Sequence, residues 1–119
     1  MWLFTDTGFI SVVGKGRSLT ARARDQKSLA PLANFAGATI RKSPTSDYPY
    51  RLSLSRDAFA DWAAMMARNV SYENFKSEVA ITRGSKFAHP LMKVWSAMHD
   101  VEDKLARSSN LGIAQLNCP

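Results

Sequence analysis

Cysteine is almost missing from this chain of 119 residues: Cys118, the penultimate residue, is the only one. No intramolecular disulfide can form and no cysteine metal site can be built, which fits a reducing compartment and predicts a cytoplasmic protein. Long apolar runs are missing too. The opening "MWLFTDTGFISVVGKG" has no basic residue ahead of its apolar ones and is broken by polar residues. It falls well short of the roughly 18 apolar residues of a membrane span. The expectation is a protein neither exported nor inserted, with no membrane partner. On that reading the sequon-like Asn69-Val70-Ser71 carries no glycan.

Familiar catalytic signatures are equally scarce. "GFISVVGKG" approaches a phosphate-binding loop, but five residues rather than four separate Gly8 from Gly14-Lys15, and Gly16 stands where a Ser or Thr should meet magnesium. It reads as a hairpin turn bracketed by glycines. The two histidines, His89 and His99, are ten residues apart on one expected helix. A rise of about 1.5 Å per residue separates them by roughly 15 Å, too far to share a metal ion. No metal and no cofactor is expected. His99 can pair with Asp103 one turn later, an arrangement more often a surface ion pair than an acid-base device. No Ser, Thr or Cys is marked as an activated nucleophile.

What the chain does have is an ordinary globular composition, 45% hydrophobic and 22% charged, with a net charge of +6. That length buries about two thirds of the unfolded surface, and a compact domain over 1–108 with a flexible tail over 109–119 is expected. The charge is uneven. Lys15, Arg17, Arg22, Arg24, Lys27, Arg41, Lys42, Arg51 and Arg56 face only Asp25 and Asp47, an excess of about +7, while the chain from Asp57 onward is balanced.

Period-two patterns fill the first half. "WLFT" and "GFISVVG" predict a hairpin over about Trp2–Val13, "LTARAR" a third strand, "ATIRKS" a fourth and "YPYRLSLS" a fifth, with Pro49 at or outside the start of its ladder. Between the third and fourth strands, Asp25 can cap and Gly37 can close a short helix through Leu29, Leu32 and Phe35. After Ser55 the period becomes 3.6. Ser55 caps a helix carrying Phe59, Trp62 and Met66, Ser71 opens a second, and a third runs from about Ala88 to Arg107 through Leu91, Trp95, Met98 and Leu105. Trp62, Trp95, Phe59 and Met98 are expected in the core. The fold class is α+β: an antiparallel or mixed sheet of about five strands from the N-terminal half, covered on one face by helices. A crossover through the short helix, between parallel strands, gives it a ferredoxin-like flavour.

"MWLFTDTGFISVV", "LTARARD", "DYPYRLSLSRDAF", "NFKSEVA" and "HPLMKVWSAMHD" occur in that order over most of the chain. Together they resemble a family of small bacterial proteins of about this length that has no established activity or ligand. The resemblance implies a compact bacterial domain and assigns no functional residue.

If the helices cover the Leu52 and Leu54 face, the opposite sheet face carries Thr20, Arg22, Arg24, Thr39, Arg41, Arg51, Ser53 and Ser55. Arginine forks and hydroxyls are what phosphate contacts use. Tyr48 and Tyr50 are expected inward with the leucines, so stacking would have to come from Phe4 or Phe9. The expectation is a small cytoplasmic binding or regulatory module whose basic sheet surface, Arg22, Arg24, Arg41 and Arg51, contacts nucleic acid or another polyanion. The alternative is an inhibitor or adaptor that binds an acidic protein. A third reading is an enzyme on a phosphorylated small molecule, with Arg22, Arg24 and Arg51 holding the phosphate, His99 as acid or base, and Lys76, His89, Lys93 and His99 as rim groups of a cleft.

Overall fold

Five strands precede the main helices, as the change of period requires. A computed structural model of the chain describes residues 1–103. The expected tail 109–119, with Leu105 and Arg107, lies outside the described residues. The chain divides into two compact units, Met1–Ala88 and the residues from His89 onward.

In the first unit β1 (Trp2–Thr5), β2 (Gly8–Lys15) and β3 (Ser18–Ala23) form a meander. α1 (Gln26–Ala36) leads to β4 (Arg41–Lys42), and β5 (Tyr50–Ser55) leads into α2 (Arg56–Arg68). The sheet order is β1-β2-β3-β5-β4, every neighbouring pair antiparallel. β3 and β4 therefore run parallel with β5 between them. The crossover through α1 joins two parallel strands split by a third, the element on which the ferredoxin-like expectation rested. β4 is shorter than "ATIRKS" suggested, two residues at the sheet edge. Pro49 has no N–H to donate, and the β5 ladder begins at Tyr50.

Local chemistry fixes the helix ends. The Asp25 carboxylate accepts from the Ser28 amide at 3.3 Å, and Gly37 closes α1 in the left-handed region at φ 64°. Ser55 accepts from the Ala58 amide at 3.1 Å, with Asp57 in the first turn of α2. α3 (Phe75–Arg83) starts later than Ser71 suggested. Its cap is Asn74, whose side-chain oxygen accepts from Ser77 N at 2.9 Å.

α1 lies over β2, β3 and β5, and α2 over β3 and β5. Beneath them the row Val12, Ala21 and Leu52 and the row Leu19 and Leu54 are buried with Ile10, Leu29, Leu32, Phe59 and Trp62. The expected helix-covered face is thus present, and Phe59 and Trp62 are in it. Trp95 and Met98 are not: each is 54% exposed. They lie in and just after α4 (Ser85–Ala97), which gives way to a 3₁₀ turn over Met98–Val101. The α-helix thus stops short of Met98, inside the span expected from about Ala88 to Arg107, and a period says that a face is apolar and not that it is buried. Among the described residues no helix is long and apolar enough to cross a membrane.

Arg83, at the end of α3, ties that helix to the sheet. It donates to the Thr7 carbonyl at 2.7 Å and to Ser28 Oγ at 3.3 Å, and it pairs with the Asp25 carboxylate. Burial alone would raise the Asp25 carboxyl, but hydrogen bonds from Ser28 and Arg83 and the Arg83 charge outweigh it and hold the group below its ordinary value. A depressed carboxyl contributes stability above its unfolded value, about 3.9, and loses that contribution as pH falls through the folded one. Urea unfolding of the wild type and Asp25→Asn from pH 7 to pH 2 should therefore show a gap that closes below about pH 4. A gap constant across that range would show that the charge of Asp25 contributes nothing.

Candidate functional site

The sheet face turned away from α1 and α2 is set by register. Trp2 pairs with Ser11, Ser11 with Arg22, Arg22 with Arg51, and Arg51 with Arg41. Residues directly opposite one another share a face, so one cross-strand row reads Trp2, Ser11, Arg22, Arg51, Arg41. Val13, Thr20 and Ser53 form the next row. Three of the four arginines singled out from the sequence thus stand side by side on β3, β5 and β4, about 4.8 Å apart at the backbone.

Like charges placed directly opposite each other destabilise a sheet, and no carboxylate lies within this row. Hydrogen bonds disperse part of the cost. Arg22 donates through Nη2 to Ser11 Oγ at 2.8 Å, while its buried Nε has no acceptor among the described residues. Arg51 Nε donates to the Tyr48 carbonyl at 3.1 Å. Arg41 is exposed and makes no ion pair with any described residue. Arg24, just past the end of β3, is 56% exposed and bridges to Asp47 at 3.2 Å.

Tyr48 organises the group, and its placement corrects the sequence reading. It is buried, but the Arg22 and Arg24 guanidinium carbons lie 4.5 and 4.4 Å from its ring centre. Phe9 is 6.4 Å away on the same side. Tyr48 precedes Pro49 and the first paired residue of β5, so the alternation that sends Leu52 and Leu54 inward does not extend to it. Phe9 in turn stacks on Phe4 at 4.6 Å and meets Trp2 edge-to-face, the ring centres 5.7 Å apart. The open face therefore has an aromatic flank, Trp2, Phe4 and Phe9 on β1 and β2, beside its arginine flank. Ser11 and Thr20 lie on this face and are buried.

The expected rim residues lie on the later helices. Lys76 is half-buried on α3, whereas His89, Lys93 and His99 are exposed in the second unit. There His99 pairs with Glu102 at 3.1 Å, rather than with Asp103, and packs edge-on against Trp95. A cleft of about 310 Å³ lies between β1 and the end of α2, lined by residues including Leu3, Phe4, Asp6, Met66 and Asn69. No Lys, Arg or His lines it, so it offers a phosphate no cationic side chain. Among the described residues no three of His, Cys, Asp and Glu gather into a metal-ligating group.

Compared with protein-family models, with curated proteins and with solved structures, the chain matches none.

Proposed function

We propose that this protein is a small cytoplasmic binding module that takes up nucleic acid through the open face of its sheet. The observation that carries the reading is the row of Arg22, Arg51 and Arg41 on adjacent strands, with Arg24 beside it. Such a row costs stability in the free protein and is relieved by an anion whose charges repeat, as phosphodiester charges do. The excess of positive charge between Lys15 and Arg56 extends the same field. An acidic protein surface is the competing partner. It is less well matched, because the carboxylates of a folded protein surface do not repeat along a track as phosphodiester charges do.

Arg22 is too enclosed for charge reversal to leave the fold untouched, so the test uses the exposed Arg24 and Arg41. Wild-type binding to a labelled oligonucleotide, read by anisotropy over a salt series, should fall linearly on a log-log plot. The double change Arg24→Glu and Arg41→Glu should weaken binding and lower the slope by about 0.7 per lost contact for a single strand, or 0.9 for a duplex. Absence of wild-type binding to RNA, single-stranded DNA and duplex DNA at low salt overturns the reading.

A further inference from the structure

We infer that the nucleic acid this face takes is single-stranded, with unpaired bases stacking on the aromatic flank headed by Trp2 while phosphates lie on the arginine flank. The inference rests on the nucleic-acid reading above and adds the substrate class. Trp2 begins the same cross-strand row that carries Arg22, Arg51 and Arg41, two strand spacings, or about 10 Å, from Arg22. It is 68% exposed, an uncommon position for the largest apolar side chain in a soluble domain. Its ring is steadied edge-on by Phe9, which is stacked in turn on Phe4, so Trp2 presents a face without having to be ordered first.

An exposed aromatic platform beside a track of cations is the combination that binds single strands. Every base has a π-face, and stacking on it needs no particular hydrogen-bond pattern. A duplex hides those faces inside its own stack and would use only the arginines. With its arginines given to phosphates, the row holds no carboxylate or amide side chain to read a base edge, so a tolerant preference for unpaired strands is expected rather than recognition of a sequence.

The experiment compares a 20-nucleotide oligodeoxythymidine strand with an abasic strand of the same length, which repeats the phosphates and omits the bases. The wild type should bind oligodeoxythymidine roughly 5- to 150-fold more tightly, the range for one stacked base. Trp2→Ala should remove most of that advantage and Trp2→Phe should restore part of it. Circular dichroism on each variant checks that the fold is retained. Equal wild-type affinity for both strands overturns the single-strand inference while leaving phosphate-led binding in place, and binding to neither overturns both. A preference for bases that survives in Trp2→Ala also overturns the role given to Trp2.

Discussion

Trp62→Ala is expected to destabilise the protein by about 3 to 5 kcal/mol, a large share of the roughly 5 to 15 kcal/mol that holds a small domain together. Trp62 is 1% exposed on α2, its ring 6.1 Å from Phe59 and clustered with Ile10, Leu32 and Leu52. Truncation removes the apolar area and leaves a cavity that helix and sheet cannot both close. Its indole Nε1 is buried and meets no acceptor among the described residues, so truncation breaks no hydrogen bond seen there. Trp62→Phe keeps much of the volume and deletes that donor. It should cost well under half as much as alanine. Urea unfolding resolves the three proteins, and equal midpoints for wild type and Trp62→Ala would show that helix and sheet do not depend on this side chain. Trp95→Ala, at a site 54% exposed, should move the midpoint far less.

Short-range rules carried most of the fold. The caps Asp25, Gly37 and Ser55 work within four residues of the backbone groups they satisfy, and all three stand where the sequence put them. Asn74 and Ser71 are both good capping types three residues apart. Which of them opens α3 depends on which side chain reaches an amide, a matter of geometry that composition does not encode. Trp95 and Met98 show the opposite limit. Periodicity marks them as apolar positions of one pattern, but their burial depends on what the rest of the chain brings against them.

The arginine flank was legible through parity alone. Arg22 and Arg51 alternate with residues bound for the core, so their facing follows once Leu52 and Leu54 are assigned inward. Register was not legible, and it is register that turns separate side chains into one row. The aromatic flank does have a readable signal, in its hairpin. A two-residue turn at Asp6-Thr7 pairs Thr5 with Gly8, which forces Phe4 opposite Phe9 and Trp2 opposite Ser11. Sending Ile10 and Val12 to the core then sends Trp2, Phe4 and Phe9 to the arginine side. Tyr48 has no such signal, because it lies beyond the ladder whose alternation would place it.

Gly8→Ala is expected to be nearly as damaging as the loss of Trp62, although it adds a single methyl group. A Cβ at position 8 would lie 2.7 Å from the Ser28 Cα, 2.6 Å from its Cβ and 2.2 Å from its Oγ. The hydroxyl can rotate away, but the Cα is helix backbone and cannot. Either the β1–β2 hairpin lifts from the start of α1 or the first turn of the helix gives way. Overpacking of this kind costs about 1 to 3 kcal/mol and occasionally more. The same displacement breaks two further bonds, because Ser28 Oγ accepts from the Phe9 amide at 3.2 Å and from Arg83 at 3.3 Å. Each buried partner left unsatisfied adds about 1 to 3 kcal/mol. The double change Gly8→Ala and Ser28→Gly takes away the serine side chain but leaves the new methyl pressed against the helix backbone, so it should recover only part of the loss. Thermal melts of the two variants beside the wild type provide the measurement. A Gly8→Ala protein melting with the wild type would show that the hairpin can move away from α1 without cost, and that Ser28 does not hold the sheet to the helix.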